Sequence, residues 1–427
     1  ISLGLVGSEM CIRDRLWTKN HVMILKDLQN GKFDKDKIIS THTLLVKQTK
    51  SGYTIVGEED INSFLNAGKA LAENFKEIEK FIPMDEIPEE NEVFAPMRGY
   101  GITYWYELFN PRQLFVLGTL LKYVNERSNQ LMKEGDLGAA ICLYLALGIS
   151  RVIDYNSIAT TWKRGTIRDT IGRYAQGRKV TYGEEYCEAI VPYRNLNWIY
   201  EPHSMKRTEG GIVPILSELC KRIFNSSKRI RVIHGDCRNL SSIIPNSVDV
   251  INVDPPYFDQ HVYSDISEYF WQVLRKALEP LIDKGLLFKK SCIEGWTPKQ
   301  STVPRTGEII ARKSSTQKSS KQEITFSREW YTRQMATFFR ECHEVLNNNG
   351  ILLTWFTHRS LEAWRSIIAA LYAGGFYVTK IWPVTSELLT RLVSKQNNST
   401  LNRTLIIVAR KRVDRNLEEH KLEMHVK

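Results

Sequence analysis

Apolar positions recur at a helical period over residues 60–81, where Ile61, Phe64, Leu65, Ala67, Leu71, Phe75 and Ile78 share a face. Asn110-Pro111 predicts a helix start, an N-cap followed by proline at the first helical position, and Leu114, Leu117, Leu121 and Val124 then line one side. Gly118 weakens that helix only slightly. Gly135 and Gly138 interrupt the pattern, and a second, almost wholly apolar helix runs to about residue 153, so the two form a packed hairpin. Tyr104, Trp105, Tyr106 and Phe109, just before it, read as core.

From Gly211 the period alternates. A helix is predicted over 212–224, then a strand over 229–233 ended by His234-Gly235-Asp236, and a second strand over 248–253. Next comes a helix through Ile266, Phe270, Val273, Leu274 and Leu278. Residues 284–328 are poor in apolar side chains and read as a long loop, functional or disordered. Beyond it come a helix from Trp330 stopped by Asn347-Asn348-Asn349-Gly350, a strand over 351–356, a helix over 361–373 ended by Gly374-Gly375, and strands over 376–384 and 404–409. This order predicts an α/β fold, a doubly wound sheet preceded by a mainly helical region.

These elements divide the chain. Residues 1–15 (ISLGLVGSEMCIRDR) resemble translated sequencing-adapter read-through and are set aside. Residues 16–96 are mixed and polar with no readable chemistry, 97–200 are helical, 201–412 form the strand-helix core, and 413–427 are a charged tail.

Composition is that of a globular protein, 42% hydrophobic and 25% charged in 427 residues. The net charge of +11 leans toward a polyanionic partner. Basic residues concentrate at Lys163, Arg164, Arg168, Arg173, Arg178 and Lys179, which fits a phosphate-contacting surface or a solvated helix face, and again at Arg312, Lys313, Lys318 and Lys321. None of the seven cysteines forms a C-x-x-C pair, so no zinc ribbon, redox site or other metal is indicated, and reduced thiols point to the cytoplasm. The apolar run over 139–147 is short of the ~20 residues of a membrane span and reads as a buried helix.

The candidate chemistry sits at Asp254-Pro255-Pro256-Tyr257. Neither proline extends a ladder, and each fixes its φ, so the strand over 248–253 must end in a stiff turn. Ligands of open α/β sheets bind at such strand ends. An aryl amine is a poor nucleophile because its lone pair is delocalised into the ring. Two acceptors on its hydrogens, the Asp254 carboxylate and the Pro255 carbonyl, favour a pyramidal nitrogen with the pair exposed. Tyr257, with Phe258, would stack on an extrahelical base. Gly235-Asp236, at the end of the neighbouring predicted strand, brings a second carboxylate to the same crevice.

These residues resemble the later motifs of S-adenosylmethionine-dependent amino-methyltransferases. More narrowly, the chain is similar to large prokaryotic adenine-specific DNA methylases, some of which carry a zinc ribbon. The similarity runs in order through YWYELFNPRQL (104–114), YLALGISRVIDYNSIATTW (144–162), IRVIHGD (230–236), DPPYFDQHVYSDISEYFWQVL (254–274), ILLTWFTHRSLEAW (351–364), WPVTSE (382–387) and IIVARKR (406–412), roughly the region 97–412. It implies a Rossmann-like class I sheet, S-adenosylmethionine as cofactor and DNA as partner, with subunits of a modification or defence system as further partners. Asp254, Pro255 and Pro256 would hold the target amine and Tyr257 the base. Gly235 and Asp236 would approach the cofactor adenine; independently of the resemblance, Phe258 by its aromatic ring and Arg312 and Lys313 by their charge are candidate contacts to the nucleic acid. One departure is large: the sequence holds no glycine-rich F-x-G-x-G-like loop for the methionine part of the cofactor. The chain therefore reads as the carboxyl-terminal part of a methylase, its first strands missing, inactive alone and weak or silent in cofactor binding. The alternatives are amino-methylation of cytosine, RNA or protein glutamine, and a non-catalytic nucleic-acid-binding subunit.

Overall fold

The structure, a computed structural model, describes residues 8–49, 52–163, 166–172, 186–189, 212–224, 230–259, 261–287, 296–311, 328–384 and 404–412. Contacts divide the chain into two compact units, Ile1–Arg231 with Tyr263–Arg305 and Val232–Val262 with Thr306–Lys427.

The first unit is mainly helical. α1 (Ser8–Gln29) begins within the stretch 1–15 and buries Trp17, His21, Leu25 and Leu28. After it come α2 (Lys35–Thr41), an antiparallel hairpin of β1 (Val46–Thr49) and β2 (Gly52–Ile55), and α3 (Glu58–Ile78). α4 (Pro111–Leu131) starts where its sequence says it should. Asn110 Oδ1 accepts from the Gln113 amide at 2.8 Å while Gln113 Oε1 accepts from the Asn110 amide at 3.0 Å, a reciprocal cap. Gly118 proves to be a contact rather than a weakness: a Cβ there would lie 2.9 Å from Ile78 Cδ1, so glycine lets the end of α3 approach α4.

α5 (Asp136–Asp154) completes the hairpin with α4. At 19 residues it exceeds the apolar run that marked it and is long and apolar enough to cross a membrane by length and composition. Its Cys142, Ala146, Ile149 and Ile153 are buried, and it packs on α4 and on α7 (Tyr263–Asp283). A short hairpin, β3 (Thr161–Lys163) with β4 (Thr166–Arg168), and α6 (Ile212–Phe224) stand between them in sequence. Trp105, Tyr106 and Phe109 are core, as expected, and Tyr269 of α7 stacks on Phe94 and donates to the Ile153 carbonyl at 2.9 Å.

α7 departs from the simple alternation, which would lay the helix after β5 (Val248–Val253) on that strand's own sheet. Its apolar stripe of Tyr269, Val273, Ala277 and Leu278 belongs to the core of the helical unit. Its acidic Asp265 and Glu268 are fully buried there and both receive Arg305; Nε reaches Asp265 Oδ1 at 2.8 Å. Asn91 Nδ2 donates to Glu268 at 2.7 Å and the Glu92 amide to Asp265 at 2.7 Å, so the buried carboxylates are paired and hydrogen-bonded. The Gln300 and Ser301 carbonyls accept from Trp271 and Gln272. Part of the segment read as a long loop is thus strapped to α7.

A buried chain of hydrogen bonds ties α1, α2 and the start of α4. His21 Nε2 lies 2.8 Å from the Glu107 carbonyl, which can only accept, so the His21 proton is on Nε2. His42 Nε2–H then donates to His21 Nδ1 (3.1 Å), and Tyr186 O–H donates to His42 Nδ1 (3.0 Å) while accepting from Asn110 Nδ2 (2.9 Å). One tautomer of each ring satisfies every atom.

The second unit is a four-stranded sheet in the order β5-β6-β8-β7, where β6 is Leu346–Phe356, β7 Phe376–Val384 and β8 Thr404–Lys411. β5 runs parallel to β6; β8 is antiparallel to both of its neighbours. α8 (Arg328–Val345) and α9 (Leu361–Ala373) pack on each other and share a core with Leu352, Phe356, Ile407 and Ala409, which register places on one face. At Gly374 and Gly375 a Cβ would meet Phe339 Cβ at 2.3 Å and the His343 ring at 2.7 Å, and Gly375 has φ +91°. Glycine there both ends α9 and lets it close on α8.

Two expectations are corrected. The two helices cover one face only, and on the other Val250, Tyr377 and Trp382 are about half exposed, so among the described residues the sheet is not doubly wound. Residues 230–234 form no strand, and Val232 is 90% exposed. A β-branched run becomes a strand only on a ladder, and the described partner of β5 is β6 alone.

Burial holds His21 at a pKa of about 4, and burial together with the neighbouring His21 holds His42 well below its ordinary value. The unfolded rings bind protons near pH 6.5, so stability is complete above that value and is lost as pH falls toward 4. We expect roughly 3 kcal/mol of loss from His21 alone by pH 4. Urea midpoints between pH 7 and 4.5 measure it, and His21→Gln should flatten the dependence; equal slopes in both proteins would refute the assignment.

Candidate functional site

β5 delivers its apolar run to the carboxyl edge of the parallel pair and stops at Asp254. The two prolines end the ladder as their chemistry requires. The turn beyond them is fixed from several sides. Tyr331 of α8 donates its hydroxyl to the Pro256 carbonyl at 2.7 Å, and the Phe258 amide donates to the same oxygen at 2.9 Å. The Ala311 amide closes on the Phe258 carbonyl at 2.9 Å. Burial also raises the Tyr331 pKa, so the phenol stays a donor.

Phe258 has φ +55°, a left-handed backbone that costs a side-chain-bearing residue about 1–2 kcal/mol. Its ring is 7% exposed, edge-on to Tyr331 at 5.1 Å and to His358 at 5.7 Å. Burying a phenylalanine contributes about 2–3 kcal/mol, enough to hold the strained turn. This corrects the expectation that Phe258 stacks on a base. Its ring is committed to the core, and its part is to anchor the loop. Tyr257 is half-buried, edge-on to Phe356 at 5.9 Å.

The loop's remaining acceptors make none of these bonds, although Pro255 itself is buried. Asp254 is exposed, and neither its carboxylate nor the Pro255 carbonyl has a partner among the described residues. The anchoring bonds thus use Pro256 and Phe258 and leave the Asp254 carboxylate and the Pro255 carbonyl without a partner among the described residues.

Asp236 is placed differently from the expectation. With no strand before it, no ladder sets it beside Asp254. Its carboxylate is held by Arg238, whose Nε and Nη2 lie 2.9 Å and 2.5 Å from Oδ1 and Oδ2, and this pair lowers the Asp236 pKa. Arg238 also reaches Gln334 at 2.6 Å, which docks the turn on α8. Gly235 has no atom within 4 Å of where a Cβ would be, and its φ is not positive, so the fold does not itself require glycine there. Arg312 and Lys313 lie outside the described residues.

Three residues of the site carried no expectation. Besides Tyr331, they are Asp259 and His358. His358 stands two residues past the end of β6, next in the sheet to β5, and is 7% exposed. The Ser360 amide donates to His358 Nδ1 at 2.9 Å, so the ring proton is on Nε2, which donates to Asp259 Oδ1 at 3.1 Å. Trp364 Nε1 holds the His358 carbonyl at 2.9 Å. The signal was positional: both residues lie just beyond the carboxyl ends of paired parallel strands, where ligand-handling groups collect. Among the described residues no cluster of His, Cys, Asp and Glu is arranged to hold a metal.

Comparisons with protein-family models, with curated proteins and with solved structures found no match to this chain.

The two adjacent aromatics should separate cleanly in stability. Phe258→Ala is expected to lose roughly 3–4 kcal/mol through the cavity it leaves. Tyr331→Phe should lose about 1 kcal/mol, since Pro256 keeps its bond from Phe258. Tyr257→Ala should lose less than Phe258→Ala. Denaturant unfolding gives all three, and a larger loss at Tyr257 than at Phe258 would contradict the placement of the rings.

Proposed function

We propose that the second unit is the target-amine half of a DNA amino-methyltransferase acting on adenine, with residues 254–257 as the amine-holding loop. One observation carries the reading: in a loop otherwise tied by hydrogen bonds, the exposed Asp254 carboxylate and the carbonyl of the buried Pro255 are the acceptors without a partner among the described residues. They are the pair that would take the two hydrogens of an exocyclic amine and release its lone pair for attack. Asp254 is then an acceptor and positioner, not a covalent nucleophile. Tyr257, part-exposed beside it, supplies the stacking ring. The net charge of +11 supports a polyanionic substrate over a protein amide.

The residues present do not make a complete site for S-adenosylmethionine. Asp236, the expected contact to the cofactor adenine, has its carboxylate chelated by Arg238, and the sequence holds no glycine-rich strand end. No methyl-transfer step is therefore assigned to this chain's own residues. A second reading, in which another polypeptide segment supplies the donor-binding half, is favoured by β5, whose outer edge is unpaired among the described residues.

The test is binding by fluorescence anisotropy to labelled duplex DNA and to RNA of the same sequence. DNA affinity should fall steeply between about 50 and 200 mM salt, as counterion release requires for about six or more phosphate contacts. A duplex with a mismatched adenine should bind more tightly, because extrusion is easier. Asp254→Ala should abolish that preference, by about tenfold or more, while leaving fully paired DNA within about twofold. Equal binding to RNA, or a mismatch preference that survives Asp254→Ala, would overturn the assignment.

A further inference from the structure

We propose that His358, acting through Asp259, is the positioning residue of the 254–257 loop, holding it in the conformation that presents Asp254 and the Pro255 carbonyl to an extrahelical base. The inference rests on the reading of that loop as the amine-holding element.

Two facts point to a dedicated device rather than incidental packing. The loop closes through a non-glycine residue at φ +55°, a conformation that relaxes unless its neighbours hold it. His358 contacts that residue and the one after it: its ring is edge-on to Phe258 at 5.7 Å, and its Nε2–H holds Asp259 at 3.1 Å. The ring itself is set by the Ser360 amide on Nδ1, and its own carbonyl by Trp364, and it lies parallel to Phe356 at the end of β6. Orientation is therefore passed from β6 and the start of α9, through one histidine tautomer, to the turn after β5. A carboxylate that accepts from an imidazole N–H whose other nitrogen is fixed by a backbone amide has one geometry open to it.

The position fits a role in base handling. β5 and β6 are the sheet's parallel pair, so their carboxyl ends form its ligand-facing edge. Asp254 and Tyr257 come from one of these ends and His358 from the other. A group that locks the two together fixes the acceptor pair without touching the substrate.

The test uses the whole chain with His358→Ala, His358→Gln and Asp259→Asn. Hydrogen exchange at the Phe258, Ala311 and Ser360 amides reads the loop directly, independent of function. In His358→Ala, protection at all three should fall at least about tenfold while amides in the middle of α8 and β6 stay within about twofold. His358→Gln keeps a donor toward Asp259 and should restore most of the protection at Phe258, whereas Asp259→Asn, which removes the charged acceptor, should lower it. The second readout is emission from a DNA duplex carrying 2-aminopurine in a mismatched pair. Wild type should brighten the probe, His358→Ala should lose roughly four-fifths or more of the gain, and His358→Gln should recover it in part, with paired-DNA affinity unchanged. Unchanged exchange in His358→Ala overturns the positioning role, as does lost exchange protection with unchanged probe emission. If no variant, wild type included, brightens the probe while the exchange changes occur, the reading of the loop as a base site is what fails.

Discussion

A parallel strand cannot be carried through two successive prolines, and the second unit is arranged around that constraint. β5 has to leave the sheet at Asp254, and the chain then needs other bonds to replace the ladder it has lost. Tyr331 and the Phe258 amide share the Pro256 oxygen, and Ala311 takes the Phe258 carbonyl. These contacts draw on α8, on residues near 311 and on the end of β6, so elements far apart in sequence converge on one short turn. The left-handed Phe258 shows that the convergence is tight enough to sustain strain.

The same bonds divide the loop into a part that is held and a part that is open. Among the described residues, the hydrogen bonds that fix it fall after Pro255. The acceptors before that point stay unpartnered among the described residues, which a folded protein ordinarily avoids unless solvent or a ligand meets them. Asp254 is exposed, so water meets it in the free protein, and a bound amine would displace that water with little reorganisation of the backbone. Rigid anchoring behind an exposed, unpartnered carboxylate is an arrangement that keeps that group's position fixed in the free protein.

Local chemistry was legible in the sequence where a single residue decides the backbone. The Asn110-Pro111 start of α4, the Gly374-Gly375 end of α9 and the proline exit from β5 all stand where the residues put them, because each acts within a few positions of itself. Partnership was not legible. The run before His234 has the composition of a strand but no ladder to join, and α7 has the periodicity of a sheet-covering helix yet buries its stripe with α4 and α5. Periodicity states that a face will be buried and is silent on what buries it. Phe258 was named but given the wrong role, and His358 was missed, for a related reason: only the fold shows which side chains after a strand end turn into the core, as Phe258 and His358 do.

The unpaired edge of β5 then gains a chemical meaning beyond topology. Open α/β sheets hold ligands in a crevice between the carboxyl ends of neighbouring strands. On the β6 side of Asp254 that space is already filled by Phe258, Tyr257, His358 and Asp259 packed together. On the other side of β5 no strand is described. An apolar parallel strand exposed along that edge is an unfinished surface by the ordinary rules of sheets, which bury such strands on both sides. The acceptor loop and the open edge thus meet at one strand: the turn after β5 is held by side chains and amides from distant parts of the chain, and the edge of β5 away from β6 is unpaired among the described residues.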